Sequence, residues 1–478
     1  MRLISAEQAD RVSASMPPSD QALAKLRRLA EELVVLSEDP RDPFASVHER
    51  QIAVDDAALK LLRERVVLIS GGEGFVGDGL VATAADGGAR RVVTVDSARG
   101  SDGSQTRHLR GDRVPVIRYC VDTRDRSGLE RVFDRERPAL VFHLAAQRLP
   151  GLAEIQVRTS LSTNLVGTKN IVELSNDYAV GQVVVASTGK AAQYLATDIY
   201  AGSKKLAEWW LGATVSGRDV PVAAVRFTHI VENSPVAGEI DAKVRDGLLT
   251  LHEPDRFILA QNLGEAHGLL LNALRIAEPS CVRLFAVRHL SCPVNVMQIA
   301  VHELRQAKAI CPILFTGLPR GYTRTTFQGQ FDWDSDHGVT PMLNALELGE
   351  ASFDHAFVVA KPAAVEPDLV LEAFESVENA LNDDRSDLEL ARIFASASRR
   401  VTAGSFDCAS PDLIEKILQW GCSSSLNEDP SRSLEEHAEL IGLLTAALAR
   451  GRDQDCSTDD GAGSGEPSDL TRSNYVRP

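Results

Sequence analysis

The chain has 478 residues, a formal net charge of −16 and 44% hydrophobic residues, a composition that predicts a soluble globular protein with room for more than one domain. The acidic balance argues against a nucleic-acid partner, because no surplus of basic residues is present to neutralise phosphates. No run of about 18 apolar residues, no signal-peptide pattern, no C-x-x-C pair and no metal-ligand spacing of histidines occurs, so we expect a cytoplasmic protein without a membrane partner or a metal site.

Residues 1–60 are predicted to form a helical N-terminal extension. Apolar residues recur at helical spacing from Ala22 to Val35, and the prolines of Asp39-Pro40-Arg41-Asp42-Pro43 interrupt this pattern. From residue 61 to 235, β-branched strands alternate with amphipathic helices. That alternation predicts an α/β domain with a doubly wound parallel sheet of the Rossmann type.

The stretch from Val66 to Gly77 predicts a buried strand that runs directly into a glycine turn and a helix. Gly71, Gly74 and Gly77 follow a G-x-x-G-x-x-G spacing, with Phe75 and Val76 between the last two glycines. Such a turn lets the backbone approach a pyrophosphate and directs helix N-terminal N–H groups at it. We therefore predict a dinucleotide-binding site, the alternative being a tight turn that binds no ligand.

A second predicted strand, Arg91 to Asp96, ends in an acid. Asp96 follows Gly71 by 25 residues, which is close to the spacing of an acid that binds the ribose hydroxyls of the adenosine. An acid there repels a 2′-phosphate, so NAD is favoured over NADP, although Arg99 nearby softens the preference. The alternative is that Asp96 is only a turn residue at the end of a strand.

A tyrosine and a lysine lie one helical turn apart in the helix that opens at Tyr200. Lys204 is on the same face of that helix, and the preceding predicted strand ends in Ser187 and Thr188. An ammonium beside a phenol favours the phenolate, which can take the proton from a substrate hydroxyl as hydride leaves. A hydroxyl of Ser187 or Thr188 would hold the substrate oxygen, and the alternative is a surface Tyr–Lys pair.

The C-terminal half of the sequence contains fewer motifs that predict a fold or a site. Residues 236–361 are predicted as a smaller mixed α/β substrate domain, 362–450 as a helical region and 451–478 as a disordered tail. The predicted helices run from Leu369 to Leu381, Asp387 to Ala397, Pro411 to Trp420 and Leu434 to Ala449. These helices either mediate self-association or cover the substrate domain, and we expect a homo-oligomer.

In this order, the motifs resemble those of the extended short-chain dehydrogenases/reductases. Within that superfamily the chain resembles the CapD-like polysaccharide-biosynthesis family of nucleotide-sugar 4,6-dehydratases and epimerases, over roughly residues 45–345. The segments that carry this resemblance are Ser187-Thr188-Gly189-Lys190-Ala191-Ala192, Tyr200-Ala201-Gly202-Ser203-Lys204-Lys205-Leu206-Ala207-Glu208, Val225-Arg226-Phe227, His252-Glu253-Pro254-Asp255-Arg256-Phe257 and Phe315-Thr316-Gly317-Leu318-Pro319-Arg320-Gly321.

The resemblance implies a nucleotide-sugar substrate and roles for further residues. The catalytic residues it implies are Tyr200, Lys204, Thr188 and Lys190. The further cofactor contacts are Asp122, Thr123, Ala145, Ala146, Asn164 and Lys204. The substrate contacts are Ser187, Asn233, Arg256 and Arg320.

The substrate half departs from the family pattern. Relatives usually carry an Asp where this chain has Gly189, and that acid protonates the leaving hydroxyl. Lys190 remains as a base at C5, and Asp198, in a short insertion before Tyr200, is a candidate replacement for the acid. The late loop reads Pro319-Arg320-Gly321 where relatives favour Arg-Pro-Gly, and Arg320 or Arg324 compensates.

Three functions remain open at this point. The first is an NAD-dependent nucleotide-sugar enzyme that oxidises C4 as a step of dehydration or epimerisation. The second is an NAD-dependent oxidoreductase recruited to a specialised-metabolite pathway with another kind of substrate. The third is a non-catalytic NAD-binding scaffold, against which the intact pair of Tyr200 and Lys204 argues.

Overall fold

The computed structural model describes residues 20–36, 42–97, 105–109, 114–233, 240, 246–290, 293–318, 325–383, 385–427 and 429–459, with the backbone alone described for 105–109, 233 and 453–459. The strands in these ranges are β1 (Val66–Ser70), β2 (Arg91–Asp96), β3 (Gln105–Leu109), β4 (Val114–Cys120), β5 (Leu140–His143), β6 (Gln182–Thr188), β7 (Val222–Phe227), β8 (His229–Ile230), β9 (Leu249–Leu251), β10 (Phe257–Ile258), β11 (Ala260–Gln261), β12 (Val282–Val287), β13 (Val294–Asn295), β14 (Ile313–Phe315), β15 (Ser352–Phe353) and β16 (Phe357–Ala360).

The helices lie before, between and after these strands. They are α1 (Asp20–Leu36), α2 (Ala45–His48), α3 (Asp56–Leu62), α4 (Phe75–Asp86), α5 (Arg126–Glu136), α6 (Pro150–Ile155), α7 (Val157–Leu161), α8 (Gly167–Asp177), α9 (Ile199–Ala213), α10 (Leu263–Ile276), α11 (Val296–Gln306), α12 (Ala345–Leu348), α13 (Pro367–Asn382), α14 (Asp387–Asp407), α15 (Pro411–Cys422), α16 (Pro430–Glu436) and α17 (Ala438–Asp459).

One ten-stranded sheet runs through the fold in the order β15-β16-β12-β7-β6-β5-β1-β2-β4-β3. The strands from β12 to β4 in this order all pair in parallel, and antiparallel strands lie at both edges. The chain winds outward from β1 in both directions, with β2 and β4 on one side and β5, β6, β7 and β12 on the other. The doubly wound, Rossmann-type fold that the sequence predicts is therefore confirmed.

Helices cover both faces of the sheet, which is why strand β1 is buried along its whole length. Successive side chains of a strand point to opposite faces. Leu68 packs in a core with Trp210 of α9 and Phe374 of α13, whereas Ile69 packs in the opposite core with Leu270 of α10. Strand β1 therefore needs apolar residues at every position, and not an alternation of apolar and polar residues.

The order of the strands reverses between β1 and β5, because β1 is followed outward by β2 on one side and has β5 as its other neighbour. Ligands of open α/β sheets bind in the crevice at the carboxyl ends of the strands at such a switch point. The glycine turn after β1 and the segment after His143 of β5 flank this crevice. The ends of β2 and β6 lie along the same edge, because these strands run parallel to β1.

Strands from the predicted substrate domain join the main sheet. Strand β12 pairs in parallel with β7, and β16 pairs with β12. The reason is the apolar sequence Val282–Val287, which is buried on both faces only inside a covered sheet. The rest of this region forms two-stranded ladders (β10 with β13, β11 with β8, β14 with β9) around a small core that also contains Ala30 of α1.

The C-terminal helices run further than the sequence pattern indicates. Helix α14 continues past Ala397 to Asp407, because Val401 and Phe406 are still buried in the protein. Helix α17 continues past the predicted boundary at 450 to Asp459, and residues 460–478 of the predicted tail lie outside the described residues. No helix in the described part of the chain combines the length and apolar character that crossing a bilayer requires.

A fully buried arginine ties three elements together. Arg226 of β7 is 0% exposed, and its guanidinium donates to both carboxylate oxygens of Glu208 on α9 and of Glu347 in α12, at 2.6–3.0 Å. It also donates to the carbonyl of Met342 at 3.0 Å. Burial alone would lower the pKa of Arg226, but the two carboxylates raise it above its usual range. The guanidinium is therefore charged and fully paired.

We predict that Arg226→Met destabilises the protein by about 3–5 kcal/mol, because removing one partner leaves buried carboxylates uncompensated. The control is Arg450→Met, which removes the half-exposed pair with Asp407 and is expected to cost no more than about 1 kcal/mol. Urea unfolding followed by circular dichroism measures both. Equal losses in the two variants would contradict the prediction.

Candidate active site

The glycine turn after β1 is closed so tightly that two of its glycines have no room for a side chain. Gly71 has a φ of +71°, and a Cβ built on it would lie 2.7 Å from the backbone nitrogen of Ala145. A Cβ on Gly77 would lie 2.2 Å from the carbonyl oxygen of Gly71. Ala145 and Ala146 follow β5, so the turn and the predicted cofactor segment after β5 are in direct contact.

The turn ends at the N-terminus of helix α4. Gly74 is the residue that precedes the helix, and it has no side chain to cap the first N–H groups. The backbone N–H groups of this first turn, which includes Phe75 and Val76, can donate hydrogen bonds to a pyrophosphate. A capping side chain at position 74 would occupy the same donors. Phe75 is 40% exposed, and the carbonyl of Val76 accepts a hydrogen bond from His267 at 3.0 Å. The turn therefore fits a dinucleotide.

Two acids lie at the ends of adjacent strands, at the predicted adenosine end of the site. Asp96 ends β2 opposite Cys120, the last residue of β4, and Asp122 follows two residues later. The carboxylate of Asp122 accepts hydrogen bonds from the guanidinium of Arg124 at 2.6 and 2.9 Å and from its backbone N–H at 2.9 Å. The Arg124 side chain lowers the pKa of Asp122, so this acid is ionised. Thr123 beside it is buried.

A buried chain of hydrogen bonds runs from the glycine turn toward helix α9. His143 Nδ1 lies 2.7 Å from the hydroxyl of Ser70, and its Nε2 lies 3.0 Å from the hydroxyl of Thr168. Thr168 donates its own proton to the carbonyl of Asn164, so it accepts from His143 Nε2–H, and Nδ1 accepts from Ser70. Burial, with the charge of Lys204, lowers the pKa of His143 to about 3, so this histidine is neutral.

Asn164 continues this chain of hydrogen bonds to helix α9. It lies in a turn of π-helix, Ser162–Val166, and is 0% exposed. Its amide accepts from the backbone of Gln147 at 2.9 Å and donates to the hydroxyl of Ser203 at 2.9 Å. Ser203 in turn donates to the carbonyl of Tyr200 at 3.0 Å. Asn164 therefore joins the segment after β5 to helix α9.

Helix α9 carries Tyr200 and Lys204. The helix begins after Asp198, whose carboxylate accepts the N–H of Ala201 at 2.8 Å. The amine of Lys204 donates to the carbonyl of Ala186 at 3.0 Å, next to the end of β6. Burial lowers the pKa of Lys204 to about 8, against the opposing charge of Glu208. Tyr200 is half-buried one helical turn before it.

A second titratable pair lies beside the first. Thr188 caps the short 3₁₀ turn Gly189–Ala192 by accepting the N–H of Lys190 at 3.3 Å. Burial lowers the pKa of Lys190, the carboxylate of Asp198 opposes that shift, and the charge of Arg256 adds to it. Burial raises the pKa of Asp198 against the effect of Lys190. The structure thus brings an amine and a carboxyl, both half-buried, to the start of helix α9.

The space beside Gly189 is occupied. A Cβ built on Gly189 would lie 2.4 Å from the sulfur of Met342, a residue that is 2% exposed. The position at which relatives carry an acid therefore faces a buried methionine. The sequence contained no local signal for this, because Met342 is far along the chain from the Ser-Thr-x-Lys segment.

The remaining predicted substrate residues have different surroundings. The hydroxyl of Ser187 donates to Glu208 at 2.6 Å, among the charges around Arg226, and its substrate role stays a prediction. Arg256 is half-buried just before β10. Asn233 is described by its backbone alone, at the end of a short 3₁₀ turn, and Arg320 lies outside the described residues.

We predict that Gly189→Asp lowers the free energy of unfolding by about 1–3 kcal/mol, because the new side chain overlaps Met342 in a closed core. Combining it with Met342→Ala is expected to recover part of this loss. Gly349→Asp is the matched control, since a Cβ there meets no atom within 4 Å. Thermal unfolding compares these three variants and Met342→Ala alone with the parent. A loss in the double variant that equals the sum of the two single losses would contradict the overlap.

A doubly wound sheet, a glycine turn at its switch point and a Tyr-x-x-x-Lys helix define a protein of the short-chain dehydrogenase/reductase type. The family model for polysaccharide biosynthesis proteins matches residues 67–322, more than half of the chain. The chain belongs to this family, and the resemblance that its motifs predict is confirmed. Met342 and Glu347 lie beyond the matched region.

Individual relatives are distant. An uncharacterized membrane protein of Methanocaldococcus jannaschii is 24% identical over 253 residues, which are 51% of this chain and 72% of that protein. The capsular polysaccharide biosynthesis protein CapD of Staphylococcus aureus is 22% identical over 250 residues, which are 51% of this chain and only 41% of CapD. The structure of Pen from Bacillus thuringiensis has a TM-score of 0.53 at 16% identity, covering 63% of this chain and 90% of that one, and shares the fold.

Proposed function

We propose that the protein is an NAD-dependent enzyme that oxidises the C4 hydroxyl of a nucleotide sugar as a step of dehydration or epimerisation. The observation that carries this proposal is the placement of four titratable residues at the start of helix α9. Tyr200 and Lys204 lie one turn apart on the helix, and Lys190 and Asp198 lie close enough for each to influence the pKa of the other. Membership of the polysaccharide-biosynthesis family and local similarity to a dTDP-glucose 4,6-dehydratase and a UDP-glucose 4-epimerase support the same substrate class.

The residues of the switch point suit NAD. The turn from Gly71 to Gly77 and the uncapped start of helix α4 would hold the pyrophosphate. Asp96 would bind the ribose hydroxyls, and its charge disfavours the 2′-phosphate of NADP. When bound there, NAD would accept the hydride that leaves the sugar carbon.

Tyr200 is the base for the oxidation. Its phenolic oxygen takes the proton of the substrate hydroxyl, and the hydroxyl of Thr188 holds the same substrate oxygen. A pKa of about 8 leaves Lys204 mostly protonated at neutral pH, so its ammonium favours the phenolate. The carbonyl of Ala186 holds that ammonium in place.

Lys190 and Asp198 would carry the chemistry at C5. A ketone at C4 makes the C5 proton acidic, and a lysine with a lowered pKa is a better base near neutral pH. A carboxyl with a raised pKa can remain protonated and give its proton to a leaving hydroxyl or back to C5. Asp198 would then replace the acid that relatives carry at position 189. Both branches, dehydration and epimerisation, use this pair.

The test of this function is incubation with UDP-, dTDP- and GDP-sugars in deuterated water, followed by mass spectrometry. Loss of water with gain of deuterium identifies a dehydratase. Gain of deuterium without loss of water identifies a C5 epimerase. No change across the panel, in protein with bound dinucleotide, would reject dehydration and epimerisation at C5.

A second candidate is an NAD-dependent oxidoreductase with another kind of substrate. Met342 in the space beside Gly189 favours it, because an acid from that position is not available for eliminating water. The absence of any reaction with nucleotide sugars, together with reduction of the bound dinucleotide by another alcohol, would support this candidate.

We predict that Tyr200→Phe lowers turnover by about a hundredfold or more, because the phenolic oxygen that takes the proton is lost. Affinity for NAD, measured by isothermal calorimetry, is expected to stay within about twofold, since the glycine turn is untouched. Tyr178→Phe is the control, because Tyr178 packs against Phe133 on α5, away from helix α9. Full activity of Tyr200→Phe would reject the assigned role.

We predict that Lys190→Ala abolishes deuterium gain at C5 but leaves reduction of the dinucleotide within about tenfold of the parent, because Tyr200 acts before Lys190. Absorbance follows the first step and mass spectrometry the second. Lys60→Ala, at an exposed position of α3, serves as the control. Equal loss of both steps would contradict this division of labour.

A further inference from the structure

The backbone carbonyls of the segment from Ala191 to Ala196 accept hydrogen bonds from side chains elsewhere in the protein. Lys205 of α9 donates its amine to the carbonyl of Ala191 at 3.0 Å and to that of Gln193. Asn344, which precedes α12, donates its side-chain amide to the carbonyl of Ala192 at 2.9 Å. These contacts matter because the segment joins Lys190 to Asp198.

Helix α14 supplies two further donors from the other side. The hydroxyl of Thr402 donates to the carbonyl of Tyr194 at 3.0 Å. The hydroxyl of Ser398, one helical turn earlier, donates to the carbonyl of Ala196 at 2.7 Å. Thr402 is 0% and Ser398 3% exposed, so water does not replace either donor if it is removed.

Apolar contacts fix α14 against the same region. Phe394 lies so close to helix α9 that a Cβ on Gly202 would be 2.7 Å from its ring. The ring of Tyr194 packs edge-on against Phe406, with centroids 5.5 Å apart, and its hydroxyl donates to the carbonyl of Gly329 at 3.1 Å. Helix α14 thus touches both the segment and the helix that carries Tyr200.

We propose that Ser398 and Thr402 are positioning residues of the active site. By holding the carbonyls of Tyr194 and Ala196, they fix the half of the segment that leads into Asp198. Lys205 and Asn344 hold the half that follows Lys190, so these side chains together keep Lys190 and Asp198 at a fixed separation. The inference rests on the proposed function of that pair. It makes α14, which lies beyond the matched family region, part of the catalytic framework of this chain.

The test uses the full chain with the double substitution Ser398→Ala and Thr402→Val. Both changes remove a donor with little change of shape. We expect backbone hydrogen exchange to rise about tenfold or more in residues 191–198, while amides of helix α4 keep parental exchange. With a reacting nucleotide sugar, deuterium gain at C5 is expected to fall about tenfold while NAD affinity and the KM stay within about twofold.

Ser405→Ala is the matched control, because Ser405 is also buried on α14 but donates to the carbonyl of Thr402 within its own helix. Thr402→Ser in the background of the parent chain keeps the hydroxyl and is expected to retain parental exchange and activity. Thr402→Val alone serves if the double variant does not fold, with a smaller rise in exchange expected at Tyr194 and its neighbours.

The outcomes separate this inference from the proposed function. Parental exchange in residues 191–198 of the variant would overturn the positioning role, whatever the activity. A rise that extends equally to α4 would also overturn it, because the effect would then be a general loss of stability. If no nucleotide sugar reacts, faster exchange confined to residues 191–198 still shows that Ser398 and Thr402 hold the segment. The proposed effect of these residues on C5 chemistry then fails together with the proposed function.

Discussion

The buried charge of Arg226 is the constraint on which the substrate side of this protein depends. Its guanidinium is shared by Glu208 on helix α9 and Glu347 in α12, and all three side chains are buried. Removing Arg226 would leave two buried carboxylates without their cation, which is far more costly than the loss of a surface pair. Helix α9 can therefore not shift along its axis without breaking this cluster, and the separation of Lys204 from the end of β6 is fixed with it.

Around this cluster, segments far along the chain complete the site. Met342, whose carbonyl accepts from Arg226, fills the space beside Gly189, and Asn344 just after it holds the carbonyl of Ala192. Helix α14 holds the same segment from the other side through Thr402. The end of β6 and the following turn are thus enclosed by parts of the chain that lie beyond the matched family region. The cofactor side, in contrast, is built from consecutive elements of the first half.

The two sides also differ in how much of them the sequence could predict. The glycine turn, the acid at the end of β2 and the Tyr-x-x-x-Lys pair were found because each is a local pattern, with the chemistry and the backbone geometry encoded within a few residues. Asp198 was found as a candidate only through its place in an insertion. Its raised pKa depends on burial, which no local pattern reports. The hydrogen bond from Ser187 to Glu208 was not predicted from the sequence. Glu208 can be buried only because Arg226, distant in sequence, pairs with its charge.

The sequence by itself determined the fold class, the strand that leads into the dinucleotide turn and the order of the catalytic motifs, because periodicity and short motifs act over a few residues along the chain. Only the tertiary structure decided that β12 joins the main sheet and that Met342 faces Gly189. It also decided that helix α14 donates hydrogen bonds to the segment from Ala191 to Ala196. Those features are contacts between residues 60 or more positions apart, the shortest being the pairing of Val282 with Val222. They depend on which apolar faces pack against each other in the folded protein, and local patterns in a single sequence do not specify that packing.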